Sequence, residues 1–104
     1  MIKYDISFTA SAERDLDKIV EYISIDLLLP EIANKFLSKI KCSILTLEYF
    51  PKRYHILESS YQKSTGFRMM LVDNFSIIYV VDAQEVVVTH ILYSASDLKE
   101  KIKL

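Results

Sequence analysis

The chain has 104 residues, a length that fits one domain around one core. Hydrophobic residues make up 51% and charged residues 26%, with one Gly and two Pro, which excludes disordered, collagenous and linker-like classes. A net charge of −1 leaves no whole-chain footprint of a nucleic-acid binder, and a lone Cys42 excludes a disulfide framework. No secretory leader is evident in MIKYDISFTA, and the longest apolar run, Ile77 to Val81, is far short of the roughly 20 residues that cross a bilayer. A cytoplasmic location without a membrane span is expected.

Ile2, Tyr4, Ile6 and Phe8 alternate with polar residues and predict a first strand. From Ser11 the period changes: Ala12, Leu16, Ile19, Val20, Ile23 and Leu27 form the apolar stripe of a helix that Thr9 or Ser11 can cap. Pro30 suits a helix start, and Ala33, Phe36, Leu37, Ile40, Ile44 and Leu47 form a second stripe that Pro51 should end. With so short a connection the two helices should form an antiparallel hairpin. Leu16, Ile19, Ile23, Phe36, Ile40 and Ile44 are the expected core.

Residues 51–66 follow neither period and read as a loop with a short strand near His55 to Leu57. Three β-rich runs follow, Phe67 to Val72, Phe75 to Val81 and Val86 to Tyr93, separated by short polar turns that predict a meander. Ser94 or Ser96 can cap a terminal helical turn. The expected architecture is a two-layer α+β domain spanning 1–104, in the order β-α-α-β-β-β. Both helices pack on one face of a four-stranded sheet, and the other face stays partly open.

Charge is unevenly placed. Residues 1–50 hold six basic and eight acidic side chains and residues 73–104 three and five, whereas residues 51–72 hold Lys52, Arg53, Lys63 and Arg68 against Glu58 alone. Candidate chemistry concentrates there. Arg68 opens a strand just after Gly66, and its fork of donors suits phosphate; a salt bridge to Asp97 or Glu58 is the structural alternative. Lys52 and Arg53 can grip phosphates or stand as solvated loop charges, and His55 can serve as acid or base near neutral pH. Tyr93 can stack on a base, donate a proton or simply pack at a strand end. His90, read on one strand face with Val88 and Leu92, is either an acid/base or a hydrogen-bonded core residue. Two histidines, one cysteine and scattered acids show no metal-ligand spacing, so neither metal nor cofactor is expected.

The pattern A-x-x-D-L-x-x-I-x-x-Y-I (Ala12 to Ile23), P-E-x-A-x-x-F (Pro30 to Phe36), L-x-x-F-P (Leu47 to Pro51), G-x-R-x-x-x-V-D-N-F-x-I-x-Y-x-V-D (Gly66 to Asp82) and I-L-Y-x-x-x-D (Ile91 to Asp97) resembles the RelE/ParE superfamily of toxins. These are the toxic halves of bacterial type II toxin–antitoxin, or plasmid-stabilisation, modules. The resemblance implies an antitoxin partner. It also implies metal-independent mRNA cleavage on the ribosome through a ribose 2′-OH, with Arg68, Tyr93, Lys52 and Arg53 as the working set and His55 and His90 as further acid/base candidates. ParE-like members imply a different activity, inhibition of DNA gyrase by binding. A degenerate toxin that keeps only antitoxin binding is a third reading. Ala95 and Ser96 stand where many similar sequences have arginines, a departure that bears on cleavage.

Overall fold

The computed structural model describes residues 2–56 and 66–93. Strand β1 (Asp5–Phe8) is followed by helices α1 (Ala10–Glu21) and α2 (Pro30–Leu45), then by strands β2 (Arg68–Val72), β3 (Phe75–Asp82) and β4 (Glu85–Leu92). The sheet order is β1-β4-β3-β2, with β1 parallel to β4 and the other pairs antiparallel. The expected α+β order is therefore present, as a mixed sheet with the helices on one face. The terminal helical turn falls outside the described residues. Among those residues no helix is long and apolar enough to cross a membrane.

Thr9 starts α1: its Oγ1 accepts from the Ala12 amide at 3.1 Å and donates to the Thr89 carbonyl at 3.1 Å, so one hydroxyl caps the helix and pins it to β4. The α1 stripe does not simply stop. Its last turn widens into a π-turn over Tyr22–Asp26, and Leu28 takes a φ of +56° before Pro30 opens α2. Ala12, Ile40, Ile44 and Leu47 face Met70, Val72, Ile77, Tyr79, Val86, Val88 and Ile91, and these form the core. Leu16, Ile19 and Phe36 pack on its margin, and Ile23 lies outside it.

Several boundaries differ from the sequence reading, each for a local reason. The first strand begins at Asp5 rather than Ile2 because the Tyr4 amide donates to the Glu48 carbonyl, not to β4. Helix α2 ends at Leu45, well before Pro51: the chain tightens into a 3-10 turn at Thr46–Glu48, and the Thr46 hydroxyl donates back to the Ser43 carbonyl at 2.6 Å. In β4 a bulge intervenes, since Tyr79 pairs with Val88 but Ile78 pairs with His90, leaving Thr89 extra. Parity is thereby reversed. Val88 and Ile91 enter the core, whereas His90 and Leu92 share register with Ile78 and Ser76, so His90 does not share a face with Val88. The sheet face away from the helices is partly open, as expected: Ser76, Ile78 and Leu92 are buried there, while Leu71 on edge strand β2 is exposed.

Both hairpins close through two residues, Asp73-Asn74 and Ala83-Gln84, with a left-handed first residue in each. Aspartate tolerates that conformation, but Ala83 at φ +54° carries a Cβ against the following carbonyl. Ala83→Gly is accordingly expected to raise stability by about 0.5–1 kcal/mol, the relief of strain exceeding glycine's added unfolded-state entropy. Urea denaturation monitored by circular dichroism measures the shift in midpoint.

Candidate functional site: a basic cleft held by backbone carbonyls

The site begins with a strained residue. Phe50 adopts φ +53°, ψ +52°, a left-handed conformation that is an outlier for a bulky side chain, and this turns the chain sharply into a 3-10 turn at Pro51–Arg53. Three side chains hold the turn. The Tyr79 hydroxyl, fully buried on β3, donates to the Pro51 carbonyl at 2.6 Å. Arg68, which pairs with Tyr79 across the β2–β3 ladder, donates from Nη1 to the Tyr54 carbonyl at 2.5 Å and the Lys52 carbonyl at 3.2 Å. Arg53 folds back over the end of α2: Nη1 donates to the carbonyls of Tyr49 at 2.8 Å, Thr46 at 3.2 Å and Phe50 at 3.3 Å, and Nη2 donates to Thr46 Oγ1 at 2.8 Å. A cation beside these outward-facing carbonyls also suits the helix dipole. Its guanidinium carbon lies 5.0 Å from the Tyr54 ring centre, within cation–π range.

Just beyond, Ile56 forms a bridge with Arg68, in the region where a short strand is expected. The result is a cleft of about 570 Å³ lined by Lys52, Arg53, Tyr54, His55, Ile56 and Arg68. Four sequence candidates thus come together, Lys52, Arg53, His55 and Arg68. Lys52, Arg53 and His55 are exposed and Arg68 is half-buried; the guanidiniums of Arg53 and Arg68 also hold backbone carbonyls. The alternative partners of Arg68, Glu58 and Asp97, lie outside the described residues.

Tyr93 and His90 are elsewhere. The Tyr93 ring packs edge-on against Phe75 at 5.2 Å, and Phe75 in turn packs on Phe36 at 4.7 Å, making an aromatic cluster between α2 and the sheet. Phe75 is four positions along β3 from Tyr79, the partner of Arg68. Tyr93 therefore lies about 13 Å along the strands, at about 3.3 Å per residue, and two strands across from the cleft. His90 Nδ1 is 3.8 Å from Asp15 on α1, whose carboxylate also accepts from the Ile91 amide at 3.1 Å. Asp15 there covers the stretch of β4 left without a neighbour once β1 has ended at Phe8. Among the described residues, no group of three His, Cys, Asp or Glu gathers as a metal site.

Sequence reading missed Tyr79. Its one signal is a tyrosine in an otherwise aliphatic core strand, where a buried hydroxyl must find a partner. Burial pushes that hydroxyl from 10.0 up to about 12, against the opposing influence of the nearby Arg68 and Arg53 guanidiniums. The folded state thus holds the proton more tightly than the unfolded chain. The stabilisation is complete below pH 10 and is lost as pH rises through about 12. Tyr79→Phe is expected to cost about 1–3 kcal/mol near neutral pH by leaving the Pro51 carbonyl without its donor. It should also flatten the alkaline loss of stability, a difference measured by urea denaturation of both proteins at pH 8 and pH 11.

No curated protein sequence matches this chain closely enough to count as a relative. Solved structures do share its fold. A chain of the chromosomal ParDE toxin–antitoxin system from P. aeruginosa superposes with a TM-score of 0.73 at 22% identity, covering 88% of this chain and 97% of that one. A chain of the RelBE2 toxin–antitoxin complex from Mycobacterium tuberculosis gives 0.62 at 22% identity, with coverages of 91% and 95%. A conserved hypothetical protein from Helicobacter pylori gives 0.52 at 22% identity, with coverages of 91% and 98%. In sequence, the family described as the ParE toxin of the type II toxin–antitoxin system parDE matches residues 6–98, nearly the whole chain. The chain belongs to the ParE toxin family of type II toxin–antitoxin systems, within the RelE/ParE superfamily.

Proposed function

We propose that this toxin acts in the cytoplasm by binding its target, as a ParE-like inhibitor of DNA gyrase, and that it does not cleave RNA. The observation that carries this reading is how the cations are used. Cleavage through a 2′-OH needs a base, an acid and cations aimed at the phosphate. Arg53 instead caps α2, Arg68 clamps the Lys52–Tyr54 backbone, and Tyr93 packs on Phe75 at the far end of the sheet. Ala95 and Ser96 supply no further cation. Among the described residues, the turn displays Lys52, His55 and the exposed flank of Arg53 beside the exposed Phe50. Such a surface is suited to an acidic and apolar protein patch.

The antitoxin is proposed to neutralise the toxin by covering this basic turn with acidic side chains; the M. tuberculosis structure, a toxin–antitoxin complex, supports an antitoxin partner. The ribonuclease reading keeps one specific observation in its favour, the presence of Lys52, His55 and Arg68 around a single cleft. A supercoiling assay with purified gyrase tests the proposal. The wild-type chain is expected to block supercoiling, and Lys52→Glu, which reverses a displayed charge without touching the core, to weaken inhibition tenfold or more. Supercoiling that proceeds unimpeded at high excess of wild-type toxin contradicts it.

A further inference from the structure

The α1–α2 connection presents an apolar surface that the target-binding reading does not use. Tyr22, Ile25, Leu27, Leu28, Leu29 and Ile32 are each 45% to 77% exposed, Leu28 most of all. Together they present apolar area on the order of 600 Å², at the upper end of the largest patch on a typical monomer. The backbone strains to produce this display. The π-turn precedes it, and Leu28 at φ +56° occupies a conformation in which the Cβ of an L-residue crowds its own chain. Strain of this kind, at so exposed a leucine, marks a surface shaped for an occupant.

We infer that the hairpin tip is a self-association site, in which a second copy of this chain packs its tip against the first around a two-fold axis. Shape and charge both argue for this occupant. The protruding Leu28 adjoins a hollow of about 460 Å³ lined by Leu28, Leu29, Pro30, Glu31, Ile32 and Lys35. Knob and hollow side by side are self-complementary under a two-fold rotation, which seats each copy's leucine in the other's hollow. Glu31 and Lys35 stand one helical turn apart on the same rim, so a two-fold axis passing between them sets the carboxylate of each copy opposite the ammonium of the other. The area approaches the roughly 800 Å² per partner of a standard interface from below, so a reversible dimer is the expected state.

Sedimentation equilibrium of the full chain tests the inference independently of the toxin's target. Wild type is expected to dimerise with a dissociation constant on the order of tens of micromolar. Leu28→Gly is the informative variant: glycine adopts the positive φ without strain, so its melting temperature should equal or exceed wild type while dimerisation weakens at least tenfold. Lys35→Glu should also weaken the dimer, and the swapped pair Glu31→Lys with Lys35→Glu should restore it. Three results would overturn the inference. These are a wild type that stays monomeric to about 200 μM, a Leu28→Gly protein that dimerises like wild type, and a monomeric wild type whose capture of an antitoxin tail is weakened by Leu28→Gly, which assigns the tip to that partner.

Discussion

Arg68→Ala is expected to cut growth inhibition and target binding by tenfold or more and to lower stability by about 1–3 kcal/mol, with far-UV circular dichroism unchanged. The functional loss follows from position rather than contact. Arg68 Nη1 bonds two carbonyls of the turn, at Tyr54 and Lys52, and these charge-assisted bonds hold the segment that displays Lys52 and His55. Without the guanidinium the turn still has the Tyr79 hydroxyl and its own Arg53 brace among the side-chain contacts of the described residues. Arg68→Lys restores charge but not the rigid fork, so only a partial recovery is expected. Growth arrest on induction, read beside thermal melting of the purified variants, separates this positioning role from global unfolding. Full activity in a folded Arg68→Ala protein would show that the carbonyl clamp is dispensable.

Ile40→Ala should be the most damaging of the helix substitutions. Ile40 is 1% exposed at the centre of α2, in one cluster with Ile44, Leu47 and the inner faces of β3 and β4. Truncation leaves a cavity in a close-packed interior and costs about 2–5 kcal/mol. At about 4–8 °C per kcal/mol for a domain of this size, the melting temperature should fall by at least ~8 °C. Phe36→Ala should cost less, since that ring is only half-buried and chiefly meets Phe75. Equal losses at the two positions would mean that the α2 face turned to the sheet is misplaced.

Much of this architecture could be read from periodicity. The change from alternation to helical spacing near Thr9 locates β1 and α1, Pro30 locates the start of α2, and Asp73-Asn74 and Ala83-Gln84 locate both hairpins. What escaped reading depends on contacts distant in sequence. Thr89 sits unremarked in the run Val86 to Leu92, yet the extra residue there inverts which side chains reach the core. The end of α2 at Leu45 comes with the tightening at Thr46–Glu48, and the Arg53 guanidinium then returns to the Thr46 carbonyl, a contact that helical spacing does not announce.

The site divides in the same way. Excess positive charge in residues 51–72 marked where Lys52, Arg53, His55 and Arg68 would gather, because the charge distribution is visible in the sequence. Their division of labour was not legible. Whether a guanidinium faces solvent or its own backbone depends on which carbonyls the fold leaves unpaired, and those arise only once Phe50 turns the chain and Tyr79 fixes Pro51. Tyr93 looked close to the functional residues by motif, but the register of β3 and β4 carries it to the opposite end of the sheet.

Action by binding rather than by cleavage is the central claim, and primer extension on mRNA held by translating ribosomes tests it most directly. Toxin at a concentration that fully blocks gyrase supercoiling should produce no new 5′ ends above the toxin-free background. Cuts that appear with wild type and vanish with His55→Ala and Arg68→Ala in folded proteins would contradict the account and assign the basic cleft to RNA cleavage.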